Sequence, residues 1–340
     1  MMDARETQMR QWLPAAIAQA APELGPLPNV ESVLSAASGD ASARRYFRWQ
    51  QGDLSLIVMD APPEYENSEP FVRIAGLMAE AGVRVPRIYA SDLQQGFLLL
   101  EDMGQRTFLE QIQAGIDSAQ LDQLFDAAID SLIRWQLASR PEVLPPYDSA
   151  VLQRELELFP DWYAARHLQH PFNQVDRTDW AELCQLLLTS INAEARVFVH
   201  RDYMARNLMV PDGGGDPAVL DFQDALYGPA SYDATSLFAD AFFSWPEPRR
   251  DAWMRTYWQR ARDAGIRLPA DYDGFQRQYR LMGVQRHLKV MGIFARIRYR
   301  DGKPHYLEDA PRFLACLQSA CAAEPDLAPL QRLLIRLELV

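Results

Sequence analysis

The chain is predicted to be an α+β protein with a small antiparallel sheet in its first part and a larger, mainly helical second part. Short strand-like runs separated by glycine turns occupy residues 30–60. After residue 104 the pattern changes to long segments with apolar residues at helical spacing. The length of 340 residues and a hydrophobic content of 48% suffice for two parts with sizeable cores.

The first part is expected to cover residues 1–104, with an N-terminal helix, a five-stranded sheet and a hinge. Apolar residues at helical spacing between Met9 and Ala20 predict the helix, which the following prolines end. A second helix is expected at 69–81, where an apolar face precedes Gly82. The expected strands are 30–37, 45–50, 54–60, 87–91 and 96–100.

The second part, residues 105–340, is expected to be mainly helical. Helical periodicity is clearest at 117–139, 149–168 and 177–194, and it returns in several segments from 231 onward. Three short apolar runs interrupt the helices at 196–199, 208–210 and 218–220, and a glycine-rich turn joins the last two. These runs predict a small β insert within the helical part.

The charge balance excludes several classes of function. With 34 basic and 46 acidic side chains, the net charge is −12, which disfavours general binding to nucleic acid or to an anionic membrane. No run reaches the about 18 apolar residues of a membrane span, and the first ten residues lack the apolar core of a signal peptide. We therefore expect a cytoplasmic protein, and no obligate protein partner is evident.

Lysine is scarce in this chain. Lys289 and Lys303 are the only two lysines among the 34 basic residues, and neither stands in a GxxxxGK[ST] motif. This excludes a P-loop enzyme. Any polyphosphate ligand must accordingly be held by arginine or by a metal ion.

Residues suited to phosphoryl transfer follow the strands of the β insert. The run His200-Arg201-Asp202 is followed by Asn207, and Asp221 follows the last strand. Phosphoryl transfer needs a carboxylate that orients the attacking hydroxyl and oxygen ligands for magnesium. Each residue alone would read as a loop cap or a strand end. Together, in this order, they match the kinase pattern H-R-D-x-x-x-x-N followed by an Asp-Phe turn.

These motifs resemble the aminoglycoside phosphotransferase and choline kinase group of small-molecule kinases, over residues from about 32 to about 303. The resemblance implies a bilobal, protein-kinase-like fold that binds ATP and Mg²⁺. It implies that Asp202 is the catalytic base and that Asn207 and Asp221 bind magnesium, while His200 supports the loop. It further implies that the main chain at Glu101 and Met103 holds the adenine edge.

A protein substrate is disfavoured by the residues around the motif. Met204 stands where protein kinases usually have a lysine, and Gln223 replaces the glycine of the usual Asp-Phe-Gly turn. No Ala-Pro-Glu follows Asp221 either. The sequence therefore favours a small-molecule acceptor.

The phosphate-binding part departs from the wider kinase pattern. The first part of the chain has no lysine, and Met59 lies near the place of the usual phosphate-binding lysine. Arg44 or Arg45 is expected to supply the missing charge, and only one of them should face the nucleotide because neighbouring strand residues point to opposite faces. Backbone N–H groups around Ser42 are expected to cover the phosphates. The glutamate partner stays open among Glu66, Glu69 and Glu80.

At a closer level the chain is similar to the amino-sugar 1-kinases within this group, over 40–42, 44–49, 59–63, 96–100, 200–204, 220–225 and 281–289. That similarity implies phosphorylation of the C1 hydroxyl of N-acetylmuramate and N-acetylglucosamine, giving the α-1-phosphate for cell-wall recycling and UDP-sugar synthesis. Tyr203, Arg206 and Asp224 border the motif and are candidates for contacts with the sugar. The alternatives are a kinase of an aminoglycoside or choline, or a catalytically silent nucleotide-binding scaffold.

Overall fold

The computed structural model describes residues 3–39, 43–211 and 213–339. The chain forms two compact units. Unit 1 comprises residues 1–114 and 207–224, and unit 2 comprises residues 115–206 and 225–340. A five-stranded antiparallel sheet together with many helices confirms the predicted α+β class. Among the helices described, none has the length and apolar character needed to cross a membrane.

The strands form one larger sheet and two small ribbons. Unit 1 holds the five-stranded sheet, in the order β1-β2-β3-β5-β4, with every neighbouring pair antiparallel. In the described ranges β7 pairs with β8 in unit 1, and β6 pairs with β9 in unit 2. The strands are β1 (Val33–Gly39), β2 (Arg45–Gln51), β3 (Leu54–Asp60), β4 (Ile88–Asp92), β5 (Phe97–Glu101), β6 (Arg196–Val199), β7 (Leu208–Met209), β8 (Ala218–Val219) and β9 (Leu226–Pro229).

The helices lie mostly in unit 2. Those of unit 1 are α1 (Ala4–Leu24), α2 (Glu69–Glu80) and α3 (Phe108–Gln113). Those of unit 2 are α4 (Ser118–Leu137), α5 (Ser149–Leu156), α6 (Gln174–Asn192), α7 (Ser231–Phe238), α8 (Glu247–Asp263), α9 (Tyr272–Asp301), α10 (Ala310–Ala323) and α11 (Ala328–Arg336). The single helix predicted at 149–168 is instead α5 followed by a π-helix at Phe159–His167.

Helix α1 packs on one face of the five-stranded sheet. Its apolar side, with Met9, Leu13 and Ile17, is buried against a layer that includes Trp49 and Val58. In such a stripe an apolar residue recurs every three to four positions. The same spacing in the sequence predicted the helix. Burial of this stripe is what holds the helix to the sheet.

A tight approach of backbone to backbone fixes the turn before β5. Gly96 has a φ of +76°, and a Cβ atom there would lie 1.9 Å from the carbonyl oxygen of Ala61. The Ala61 N–H in turn donates to the Gly96 carbonyl at 2.8 Å. Only glycine fits this position, because any side chain would collide with the edge of β3.

The ribbon of β7 and β8 belongs to unit 1, although it lies far along the chain. The Val219 N–H donates to the Arg84 carbonyl at 2.8 Å, and the Val210 N–H donates to the Arg106 carbonyl at 2.9 Å. The sequence placed a boundary after Gly104 and did not foresee this return of residues 207–224. Every residue type except proline can make these main-chain hydrogen bonds, so the amino-acid sequence does not indicate that the ribbon pairs with unit 1.

Helix α9 is the central element of unit 2. It is buried on all sides over most of its length and packs against α6, α7, α10 and the π-helix. A helix in such a position has no polar face to show in its sequence. At Gly292 a Cβ atom would lie 2.4 Å from the carbonyl carbon of Leu158, so glycine lets α9 approach the chain that leads into the π-helix.

Candidate active site

The loop that follows β6, residues 200–205, is called here the Asp202 loop. Arg201 has a φ of 79°, a conformation that costs a non-glycine residue about 1–3 kcal/mol. Asp202 is half-buried, and its backbone N–H donates to Nδ1 of His200 at 3.2 Å. His200 itself is fully buried. Such strain persists only where the surroundings hold the loop in place.

Two buried carboxylates hold the ends of the Asp202 loop. Asp233 accepts the backbone N–H groups of His200 at 2.6 Å and of Arg201 at 2.9 Å. Asp240 accepts the Ala205 N–H at 2.9 Å. Both acceptors are buried, where the surroundings have a low dielectric constant. These hydrogen bonds are therefore stronger than hydrogen bonds exposed to water. The loop is therefore fixed by Asp233 in the first turn of α7 and by Asp240 just after this helix.

The side chain of Arg201 joins a buried ionic cluster. Its Nη2 lies 2.6 Å from Oε1 of Glu155, and Nζ of Lys289 lies 2.9 Å from the same oxygen. Tyr147 and Gln285 also donate to the Glu155 carboxylate. Although burial opposes ionisation, the charges of Lys289 and Arg201 lower the pKa of Glu155 to about 2. Glu155 is thus a carboxylate at neutral pH.

Arg286 braces the same turn from α9. Its Nη1 donates to the Arg201 carbonyl at 3.2 Å, and its guanidinium lies 4.6 Å from the centre of the Tyr232 ring. Burial raises the pKa of Asp233 to about 7, against the opposing hydrogen bonds from His200 and Arg201 and the charge of Arg286. Arg286 thus contacts both the Arg201 carbonyl, next to Asp202, and the ring of Tyr232.

Sequence reasoning missed the residues that hold the Asp202 loop. Asp233 and Asp240 stand in the apolar run 230–241, and Glu155 is one acidic residue among several in a predicted helix. The available signal was the acidic side chain inside an otherwise apolar stretch, since such a group is buried with a hydrogen-bond partner or a counter-ion.

In unit 1, the two predicted magnesium ligands lie together at one end of the β7–β8 ribbon. The Leu220 N–H donates to the Asn207 carbonyl at 2.9 Å, and Nδ2 of Asn207 lies 3.5 Å from Oδ2 of Asp221. Asp221 has a φ of 62°, and Gln223 donates to its Oδ1 at 2.9 Å. Ribbon pairing and a left-handed residue therefore bring the two side chains to hydrogen-bonding distance.

The donor set fits a magnesium ion that is completed by phosphate and water. Mg²⁺ takes hard oxygen ligands, usually one or two from the protein, and Asn207 and Asp221 offer an amide oxygen and a carboxylate. Within the described ranges no group of three or more His, Cys, Asp or Glu side chains could hold a metal alone. The residues present thus suit an ion that arrives with a nucleotide.

The segment after β5 is braced by an ion pair. Arg48 contacts both carboxylate oxygens of Asp102, at 2.6 and 3.1 Å, and donates to the Gly104 carbonyl at 2.9 Å. The Gly104 N–H returns to Asp102 at 3.0 Å. Burial would raise the pKa of Asp102, but hydrogen bonds from Arg48, Ser55 and Gly104 hold it below its usual value. The segment predicted as a hinge is therefore held in one conformation.

Met103 lies in an apolar cluster beside this hinge. Its side chain is 9% exposed and packs with Met209, Ala218 and the half-buried Leu220. Glu101 uses its N–H to reach the Arg87 carbonyl at 2.8 Å, while the Met103 N–H has no hydrogen bond to any residue that the structure describes. An apolar surface next to an unused main-chain donor is the arrangement that a flat heterocycle requires.

The two adjacent arginines at the start of β2 bind different partners. Arg44 pairs with Glu66 at 2.9 Å, which is the first of the three glutamates left open by the sequence. Arg45 pairs with Asp60, which is fully buried, and with Asp3 at the start of α1. Arg45 therefore has a structural role between β3 and α1, and Arg44 is the favoured candidate for a phosphate contact.

Two other predicted positions complete this region. Met59 is fully buried in β3, opposite Tyr46 on one side and Leu98 on the other. It occupies the expected strand as an apolar residue of the sheet. Ser42, predicted to cover the phosphates through its backbone, lies outside the described residues.

The three candidates for sugar contacts occupy different environments. Tyr203 is fully buried and its hydroxyl donates to the Ala128 carbonyl at 2.8 Å, which gives it a packing role in unit 2. The guanidinium of Arg206 lies 4.9 Å from the centre of the Phe242 ring. Asp224 is exposed at the end of the second segment of unit 1.

Comparisons with known proteins agree with this chemistry. Residues 33–275 match the model of the phosphotransferase enzyme family. A relative from Pseudomonas aeruginosa, named N-acetylmuramate/N-acetylglucosamine kinase, is 53% identical over 98% of this chain and 97% of its own length. A relative of the same name from Neisseria meningitidis is 40% identical over 98% of this chain and 96% of its own length.

Solved structures confirm the predicted fold. Choline kinase LicA from Streptococcus pneumoniae superposes with a TM-score of 0.60 at 12% identity, over 90% of this chain and 99% of that one. The aminoglycoside phosphotransferase APH(2″)-IIa in complex with gentamicin gives a TM-score of 0.59 at 12% identity, over 91% and 96% of the two chains. At such identities the likeness concerns the fold alone.

Proposed function

The chain belongs to the phosphotransferase enzyme family and is a kinase with an alcohol group as acceptor, and from that premise we propose that it phosphorylates N-acetylmuramate and N-acetylglucosamine with ATP. The observation that carries the proposal is the 53% identity over 98% of the chain to the kinase from Pseudomonas aeruginosa. The site residues support it, because unit 2 offers a base candidate and unit 1 offers a pair of oxygen ligands for magnesium.

The proposed acceptor atom is the anomeric C1 hydroxyl, and the proposed product is the sugar α-1-phosphate. A sugar 1-phosphate is the class of substrate that nucleotidyl transfer consumes, so the product suits UDP-sugar synthesis in cell-wall recycling. The proposed location is the cytoplasm, where ATP is available. An anomeric hydroxyl is more acidic than an ordinary alcohol, so it gives up its proton more readily to a positioned carboxylate.

In the proposed mechanism, Asp202 accepts a hydrogen bond from the C1 hydroxyl and takes its proton as the phosphoryl group is transferred. The Asp202 loop does not have to rearrange for this step, because Asp233 and Asp240 already hold its backbone. Preorganisation of this kind lowers the barrier by removing the entropy cost of orienting the base.

Binding of ATP is assigned to unit 1. The Met103 main chain and its apolar cluster would take the adenine, and Arg44 would contact the phosphates, with Glu66 orienting its guanidinium. Asn207 and Asp221 would hold magnesium, which neutralises charge on the phosphates when bound. A cation is required here since the chain carries a net charge of −12.

The test is an ADP-release assay on the purified protein with four acceptors: N-acetylmuramate, N-acetylglucosamine, choline and an aminoglycoside. We expect ADP release with the two amino sugars only. Phosphorylation at C1 removes the reducing end, so a reducing-sugar assay must report a loss equal to the ADP formed. ADP release without loss of the reducing end would contradict C1 as the acceptor. Turnover of choline or the aminoglycoside alone would replace the proposal, and ADP release with none of them would favour the silent scaffold.

A further inference from the structure

A cavity of about 510 Å³ lies within unit 2, between α8, α9, α10 and the segment that follows α7. Its volume falls within the about 300–1,000 Å³ that is typical of small-molecule sites. The polar side chains in its wall include Arg250, Tyr279, Arg280, His287 and Arg312. None of these residues was assigned a function by the site described above.

Arg250 differs from the other two arginines in this wall. Arg280 is paired with Glu324, and Arg312 is paired with Asp309 at 2.8 Å. Arg250 is half-buried, and its guanidinium forms no ion pair or hydrogen bond with any of the described residues. A partly desolvated cation without a counter-ion is unfavourable, so an anion that enters the cavity would gain from pairing with it.

Tyr279 supplies a second observation that points to a ligand. Its side chain is 7% exposed, and its hydroxyl is buried without a hydrogen-bond partner among the residues described. Leaving such a group unpaired is unfavourable, so a ligand that accepts its hydrogen bond would be stabilised. Burial raises the pKa of Tyr279 and the charge of Arg250 opposes the rise, which places the phenol within the field of that arginine. The hydroxyl is therefore a protonated donor beside a cation.

His287 adds a neutral donor to the same wall. It is 7% exposed, and burial followed by the charges of Arg286, Arg312 and Arg250 lowers its pKa to about 3. The ring is accordingly neutral at physiological pH and carries one N–H. Donors thus outnumber acceptors around Arg250.

The acidic residues of the wall do not reverse this balance. Asp251 accepts hydrogen bonds from Tyr272 at 2.8 Å and from Gln276 at 2.9 Å, so its carboxylate is already occupied. Glu247 is exposed at the first turn of α8, where the helix dipole favours a negative charge. A cationic ligand would need a free buried carboxylate here, and an anionic ligand would meet Arg250.

The cavity is connected to the Asp202 loop by direct contacts within unit 2. Arg312, in the cavity wall, donates to the Asp240 carbonyl at 3.1 Å. The Asp240 carboxylate accepts the N–H of Ala205, the last residue of the loop. Asp240 therefore contacts both the cavity wall and the loop that carries Asp202. This is expected if the cavity holds part of the phosphate acceptor.

We propose that this cavity binds the carboxylate of an anionic sugar acceptor, with Arg250 as its counter-ion and the Tyr279 hydroxyl as a hydrogen-bond donor. The inference rests on the proposed function and adds a specificity determinant to it. Of the two amino sugars, N-acetylmuramate carries a carboxylate on its lactyl ether and N-acetylglucosamine carries none. Arg250 therefore sets the preference between them.

The test measures kcat/KM for both sugars in wild type and in Arg250→Gln, at saturating ATP. A hydrogen bond to a charged group contributes about 1.5–3 kcal/mol, so the ratio of kcat/KM for N-acetylmuramate to that for N-acetylglucosamine should fall at least about tenfold. Tyr279→Phe removes one oxygen atom and should lower the same ratio less. The matched control is Arg249→Gln, because Arg249 lies next along α8 but donates to Ser118 at 2.6 Å on α4.

An unchanged ratio in both Arg250→Gln and Tyr279→Phe overturns the inference, and so does an equal fall in Arg249→Gln. Calorimetric titration of N-acetylmuramate without ATP separates this inference from the proposed function. If wild type phosphorylates neither sugar, the proposed function fails. Weaker N-acetylmuramate binding in Arg250→Gln than in wild type would then still support the cavity, whereas equal binding, or none to wild type, would refute it.

Discussion

Lys289 forms a buried ion pair with Glu155, in which Nζ lies 2.9 Å from Oε1. The lysine is 9% exposed and also donates to the Tyr232 hydroxyl at 3.0 Å. Because Arg201 pairs with the same carboxylate oxygen, one glutamate on α5 links α9 to the turn before Asp202. One of the two lysines in the chain thus serves the architecture of the catalytic loop rather than a phosphate.

Replacing Lys289 by methionine should lower the free energy of unfolding by about 3 kcal/mol. The substitution keeps the length of the side chain and leaves the buried Glu155 with Arg201 as its only cation. Urea unfolding at pH 7 measures the effect. Lys303→Met is the control, since Lys303 is half-buried and forms no ion pair with a described residue, and it should change stability by less than about 0.5 kcal/mol. Equal losses in the two variants would contradict the assignment.

The same ion pair predicts a dependence of stability on pH. The pKa of Glu155 is about 2 in the folded protein, below its ordinary value of 4.5. Its contribution to stability is therefore fully present above pH 4.5 and is lost as the pH falls toward 2. In Lys289→Met the pKa of Glu155 must rise, because burial is then less opposed. The stability deficit of the variant should thus be full at pH 7 and smaller at pH 3, as measured by urea unfolding at both values. A deficit that grows on acidification would refute the prediction.

The hinge should depend on the pair of Arg48 and Asp102. In Asp102→Asn the guanidinium loses its charged acceptor, so the hinge that carries the Met103 main chain is less well ordered. We expect KM for ATP to rise at least about tenfold, as the loss of a charge-assisted hydrogen bond worth about 1.5–3 kcal/mol implies. Initial rates at varied ATP measure this. Asp92→Asn, at the last residue of β4 before the turn to β5, is the control, and a similar KM change in both would show that the pair has no particular role.

Substitutions of Arg44 and Arg45 should affect different properties: ATP binding for Arg44 and the free energy of unfolding for Arg45. Arg44→Gln should weaken ATP binding about tenfold, as expected for the loss of a charged phosphate contact. Arg45→Gln should leave ATP binding unchanged and lower the free energy of unfolding by about 2 kcal/mol, since buried Asp60 then keeps only Arg5. Calorimetry with ATP and urea unfolding read the two effects independently. Weaker ATP binding in Arg45→Gln alone would reverse the assignment.

Asp202→Ala should reduce kcat by about 10²–10⁴, the usual contribution of a general base, while ATP binding stays intact. The measurements are steady-state rates with N-acetylglucosamine and calorimetric titration with ATP. Asp263→Ala, which removes an exposed carboxylate at the end of α8, should leave kcat unchanged. A variant of Asp202 that retains full turnover would exclude this residue as the base.

Local patterns account for the parts of the fold that the sequence predicted well. The short strand-like runs of β2 and β3 and the apolar stripe of α1 are properties of short segments, and the strand or helix follows from each segment alone. Contacts between distant segments were not predicted. Asp60 and Asp3 as partners of Arg45, or Asp233 as an acceptor for the Asp202 loop, depend on the tertiary arrangement.

The π-helix illustrates a second reason for failure. The sequence between 149 and 168 has a helical period throughout, yet the structure widens its last turns at Phe159–His167. Pro160 lacks the N–H that an α-helical hydrogen bond needs at this point, and α9 approaches closely through Gly292. The spacing of apolar residues indicates which face of a helix is buried. It does not indicate whether each backbone N–H bonds four or five residues back.

Unit 1 is discontinuous in the chain, and this has a consequence for synthesis on the ribosome. Residues 207–224 are synthesised only after the whole of 115–206. Until then, residues 1–114 lack the ribbon whose N–H groups bind the carbonyls of Arg84 and Arg106. Nascent domains otherwise tend to fold in the order in which they emerge. Unit 1 would therefore be completed late in synthesis, and the main-chain carbonyls of Arg84 and Arg106 would stay without these hydrogen bonds in the interval.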